Sequence, residues 1–108
     1  MSVITQINED VFQSEVLEAS TPVLVDFSAV WCGPCKMLDP VVKELASEWG
    51  ERVKVVKIDV DHNPRLAMQY GVMGVPTLIL FKNGEPAVRL TGYQPKKRLE
   101  AKFNPHLN

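Results

Sequence analysis

The sequence predicts an α/β domain in which residues 1–108 form one unit, with a central mixed sheet of about five strands flanked by about four helices. Three observations carry this. Runs with strand spacing alternate with runs at helical spacing along the chain. The segment "PVLVDF", Pro22 to Phe27, is almost continuously apolar, as in a strand covered on both faces. The last strands read as a hairpin rather than a helical crossover, so the sheet is mixed.

Each element has its own reason. Val3 to Ile7 has strand composition, and Asn8 then offers an N-cap to a helix running through Val11, Phe12, Val16 and Leu17. Pro22 to Phe27 is the central strand. Met37, Leu38, Val41, Val42, Leu45 and Trp49 recur at helical spacing, and Gly50 stands where a C-terminal cap belongs. Pro40 falls inside that helix and is expected to kink it, because proline lacks an N–H and its ring crowds the preceding turn. Arg52 to Val60 reads as a strand. Asn63 as cap, Pro64 at the first position and Gly71 past the end mark a short helix. Thr77 to Leu90 divides into two strands at Asn83-Gly84, a pair that tolerates positive φ, and Pro86 sends the second strand to an edge. A final helix runs from about Pro95 to Phe103, and Pro105 is expected to stop or bend it. Crossovers through helices are expected to make parallel neighbours, with the terminal hairpin antiparallel.

The 108 residues are enough to bury one core without metals or several disulfides. With 45% hydrophobic and 23% charged residues, the composition excludes a disordered or fibrous chain. A net charge of -1 gives no reason to expect nucleic acid or an anionic membrane as partner. The run "KKR" at Lys96 to Arg98 reads as the solvated face of the last helix. The amino terminus lacks the pattern of a secretory signal, and the longest apolar run, Gly71 to Phe81, is too short to span a bilayer. A soluble, cytoplasmic monomer is expected.

The two cysteines form the motif "WCGPCK". Structural zinc needs about four ligands, and His62 and His106 lie at no paired-ligand spacing with each other or with the cysteines; both are expected in solvent. A disulfide closing so short a loop stabilises by roughly 2 kcal/mol, a modest gain for a structural clip. The redox reading uses more of the context. Cys32 follows the central strand and opens a helix, where unpaired N–H groups and the helix dipole favour a thiolate. Cys35 lies one turn on, Gly33 and Pro34 set the bend between them, and Lys36 adds positive charge. Asp26 interrupts an apolar strand, and burial there raises a carboxyl pKa. It is either a satisfied structural group or a working one. Lys57 alternates with Val53 and Val55, so it either pairs with Asp26 or snorkels to the surface.

With "VLVDF" before it and "GVPTLILFKNG" after it, "WCGPCK" resembles the thioredoxin family over essentially the whole chain. The resemblance implies the thioredoxin fold and a protein-disulfide reductase without a bound cofactor, reduced by a thioredoxin reductase and acting on diverse disulfide-containing proteins. It implies that Cys32 attacks, Cys35 resolves, and Asp26 accepts the Cys35 proton, directly or through water, with Lys57 nearby. It also implies a cis bond at Pro76 facing the cysteines, with Val75 offering its backbone to substrate. Trp31, Gly33, Pro34, Met73, Gly74, Val75, Pro76 and Gly92 are then the substrate groove, although Gly92 reads equally well as a turn glycine. Ser28 and Val30 depart from the family's usual tryptophan and proline, and Asp39 brings a negative charge near Cys35. A disulfide oxidase or isomerase, and a scaffold indifferent to its thiols, are the alternatives.

Overall fold

The computed structural model describes residues 4–107; the expected strand residue Val3 lies outside them. Five strands form one sheet: β1 (Thr5–Gln6), β2 (Val23–Ser28), β3 (Lys54–Asp59), β4 (Thr77–Lys82) and β5 (Glu85–Thr91), in the spatial order β1-β3-β2-β4-β5. Three α-helices, α1 (Gly33–Trp49), α2 (Pro64–Gln69) and α3 (Lys96–Phe103), join a helical segment near the amino terminus. β2 is buried along its length between β3 and β4, as its apolar run requires.

The antiparallel part of the sheet is larger than expected. β3 runs parallel to β1 and β2, but β4 pairs antiparallel with β2 as well as with β5. The intervening helix α2 has six residues, roughly 9 Å of rise. It therefore spans about half the length of a six-residue strand. At the β4–β5 turn, Asn83 (φ 54°) and Gly84 (φ 79°) both have positive φ. β5 is an edge strand, and its register with β4 shifts beside Pro86, which has no N–H to give the ladder.

The amino-terminal helical segment is irregular: a 3-10 turn at Glu9–Val11 and a π-helical stretch at Gln13–Leu17. Asn8 occupies the N-cap position without capping through its side chain. Asn63 does that work from a distance, its Oδ1 accepting the Glu9 N–H at 2.8 Å while its Nδ2 donates to the Asp59 carbonyl at 2.9 Å. The two asparagines expected to cap their own helices thus tie two segments together.

Two apolar layers cover the sheet. Leu38, Val42, Leu45 and Trp49 of α1 pack with Leu99 and Phe103 of α3 over Leu24 and Leu78. Phe12, Val16 and Leu66 cover Val25, Phe27, Ile58, Ile79 and Phe81 on the other face. Full burial of each such side chain stabilises by about 1.5–3 kcal/mol. Met37, expected on the inner face of α1, points outward. α1 continues through Pro40 to Gly50, whose φ of 58° suits a helix end. α3 ends at Phe103 and passes into a 3-10 turn containing Pro105. Of "KKR", Lys97 and Arg98 are exposed, while Lys96 reaches Glu44 and Glu48 of α1.

Candidate active site

The cysteines stand where β2 gives way to α1. Cys32 is the N-cap of α1 with Gly33 and Pro34 in its first turn, and a disulfide joins Cys32 to Cys35 across a Cα–Cα distance of 5.3 Å. The Cys35 N–H donates to Cys32 Sγ at 3.1 Å. A first-turn N–H aimed at sulfur, together with the dipole of a 17-residue helix, favours charge on Cys32 once the bond is reduced.

Both cysteines are 3% exposed in the disulfide form, packed with Ala29, Val60 and Val75. Access comes from the rim: Trp31 and Met73 are 68% and 98% exposed, and Gly33, Pro34 and Gly74 are exposed beside them. Trp31 is oriented by its Nε1–H, which donates to Asp61 Oδ2 at 2.7 Å. Nothing singled out Asp61 in the sequence.

The Val75–Pro76 bond is cis, as the family resemblance implied, and the Val75 carbonyl oxygen lies 3.7 Å from Cys32 Sγ. Thr77 Oγ1–H donates to the Gly74 carbonyl at 2.6 Å, and the Gly92 N–H donates to the Pro76 carbonyl at 2.8 Å. Gly92 has φ 89°, a conformation that costs a side-chain-bearing residue roughly 1–2 kcal/mol. It is therefore a turn glycine that also braces the cis-proline loop.

On the inner side of the pair, the pleat places Asp26 and Ser28 of β2 on the sheet face that also carries Lys57 and Asp59 of β3, and α1 covers that face with Cys35 and Asp39. A cavity of about 250 Å³ adjoins this face, lined by Ser28, Ala29, Val30, Cys35, Asp39, Lys57 and Asp59 among others; Asp26 is not part of its lining. Ser28 lines this space with a small side chain.

Asp26 is 2% exposed, and its Oδ1 has no hydrogen-bond partner in the protein. Burial pushes its carboxyl from the usual 3.8 up to about 7, against the pull of Lys57 and with help from Asp39. Of the two readings of Lys57, the structure shows neither a pairing with Asp26 nor a free surface ammonium. Lys57 Nζ donates to both Asp39 oxygens at 3.0 Å. The signal for this contact was present, since Asp39 follows Cys35 by four residues and so shares its helix face. Of the histidines, His62 is exposed, against Asp59 at 3.0 Å, whereas His106 is half-buried.

Among the described residues, no group of three or more His, Cys, Asp or Glu side chains is placed to hold a metal ion, and no helix is long and apolar enough to cross a membrane. The chain's arrangement can perform dithiol–disulfide exchange, for which it needs a stabilised thiolate, a second thiol within reach and a proton acceptor.

Comparison with known proteins agrees. The thioredoxin family model matches residues 3–104. Thioredoxin 1 of Synechococcus elongatus is 48% identical over 99% of this chain and its own full length. Thioredoxin of Alicyclobacillus acidocaldarius is 51% identical over 82% of this chain and 85% of its own. Thioredoxin of the red alga Porphyra purpurea is 44% identical over 97% and 98%. A mixed five-stranded sheet, a cysteine pair at the start of a helix and relatives matched end to end place the chain in the thioredoxin family, as a protein-disulfide reductase.

Proposed function

We propose that Cys32 is the attacking thiolate and Cys35 the resolving thiol of a general protein-disulfide reductase, regenerated by a thioredoxin reductase and working in the cytoplasm. The observation that carries the assignment of roles is the asymmetry of the pair. Cys32 receives the Cys35 N–H at the helix start and lies beside the exposed Trp31 and the Val75 carbonyl, whereas Cys35 lines the inner cavity.

In the forward reaction Cys32 thiolate attacks one sulfur of a target disulfide, forming a mixed disulfide and expelling the other target sulfur as a thiolate, which takes a proton from water. The Cys35 thiol gives its proton to ionised Asp26, directly or through water. Cys35 thiolate then attacks Cys32 sulfur, closing the Cys32–Cys35 disulfide and releasing the second target thiolate. Two electrons pass from the cysteine pair to the target. Thioredoxins need no cofactor beyond this pair.

Trp31, Gly33, Pro34, Met73, Gly74, Val75, Pro76 and Gly92 form the proposed docking rim. Val75 presents backbone to an extended target segment, and the apolar side chains around it specify little, which suits many different targets. Lys57 is assigned to the cavity wall, where it contributes charge near the resolving thiol.

The test is reduction of insulin with separate cysteine variants. Cys32→Ser abolishes turnover, and Cys35→Ser accumulates mixed disulfides with target, seen on non-reducing gels. A Cys32→Ser protein that still reduces insulin removes the assignment.

A further inference from the structure

Asp26 and Lys57 are register partners on adjacent strands and face the same side of the sheet. Opposite charges so placed ordinarily pair. Here they do not: the Lys57 ammonium spends two hydrogen bonds on the Asp39 oxygens, and Asp26 Oδ1 is left buried without a partner. Asp39 and Cys35 come from one face of α1 and line the same cavity as Lys57.

We propose that Asp39 is a positioning residue of the exchange site, holding the Lys57 ammonium across the cavity and so withholding from Asp26 the cation that the sheet register sets beside it. This rests on the reading of Asp26 as acceptor of the Cys35 proton. The chemistry gives the arrangement a purpose. A carboxylate paired with lysine keeps a pKa at or below the usual carboxylate range and is a poor match for a thiol near 8.5. An unpaired buried carboxylate is a stronger base, better matched to that proton. The lysine's flexible four-carbon stem lets its charge be drawn to either carboxylate, so the residue opposite decides which one.

The titratable and charged groups around the cavity, on the sheet face that carries Asp26, are Lys57 and Asp59 from β3, and Cys35, Lys36 and Asp39 from α1. The neighbouring strand β4 and helix α3 contribute apolar Leu78, Leu99 and Phe103. Asp39 is the member of this set that binds Lys57.

The experiment is a titration of the Asp26 carboxyl carbon by NMR in the oxidised protein, where neither cysteine titrates, for the parent, Asp39→Asn, Lys57→Met and the double variant. Asp39→Asn frees Lys57 to turn toward Asp26, and the Asp26 midpoint is expected to fall by about one pH unit or more. In the Lys57→Met background the same substitution is expected to have less than half that effect. No shift in Asp39→Asn overturns the proposal, and so does an equal shift in both backgrounds, which assigns Asp39 to direct repulsion alone. A second readout is the acid limb of mixed-disulfide resolution, which moves to lower pH in Asp39→Asn. Because the titration does not use exchange activity, its failure leaves the cysteine assignments standing, while loss of those assignments shows separately in the insulin assay.

Discussion

Replacing Asp26 by asparagine should stabilise the protein, and by an amount that grows with pH. The unfolded chain releases the Asp26 proton near 3.8, while the folded chain keeps it up to about 7. Between those values folding takes up a proton, so stability falls as pH rises, and above about pH 7 the loss is complete. At about 1.4 kcal/mol per pH unit, the separation corresponds to a charge penalty of about 4 kcal/mol at pH 8 and one to two at pH 5. Asparagine is similar in size and carries no charge to bury, so it removes the penalty at each pH. Its advantage over the parent should therefore increase by about 3 kcal/mol from pH 5 to pH 8 and then level off. Guanidinium unfolding of the oxidised proteins, followed by circular dichroism at pH 5 to 9, measures this without interference from thiol titration. An advantage constant across that range to within about 0.5 kcal/mol would show that Asp26 does not carry a raised pKa, and would remove it as the proton acceptor.

Three further outcomes follow from the geometry. Ser28→Trp places an indole in the cavity of about 250 Å³ and should stabilise by about 1–2 kcal/mol, read as a higher denaturant midpoint; destabilisation would mean that the space is not available to a side chain. Gly92→Ala, at φ 89°, should cost roughly 1–2 kcal/mol in thermal unfolding, and an unchanged midpoint would show that the loop relaxes freely. Trp31→Ala should leave stability within about 0.5 kcal/mol because the side chain is 68% exposed, yet lower kcat/KM for insulin more than for a small aromatic disulfide; equal losses would remove Trp31 from the docking rim.

Local chemistry was the legible part of the sequence. β2 could be read because an almost continuously apolar run has few other uses, and the β4–β5 turn because Asn83 and Gly84 take a backbone conformation that other residues resist. The cysteine pair was legible because its strand-to-helix setting supplies the thiolate stabilisation that exchange requires. What escaped depended on segments distant in sequence. β4 runs antiparallel to β2, a pairing set between segments about 50 residues apart, and the cap of Glu9 came from Asn63, 54 residues away. Lys57 was read either as a partner of Asp26 or as a surface lysine, and its contact with Asp39 appears only once α1 is laid across the sheet. Trp49 is 4% exposed and donates to Asn104 Oδ1 at 2.9 Å, a contact that joins α1 to the carboxyl-terminal turn.

The most direct test of the reductase role is the reduction potential of the Cys32–Cys35 couple, obtained by equilibration with a dithiothreitol redox buffer and alkylation of the free thiols. A donor of this kind holds its electrons at a potential below the glutathione pool, about −220 to −260 mV by extraction, and a value below that range is the predicted result. A potential above that range would contradict the electron-donor role and indicate a protein poised to oxidise or isomerise its targets, with Ser28, Val30 and Asp39 as the first residues to revert.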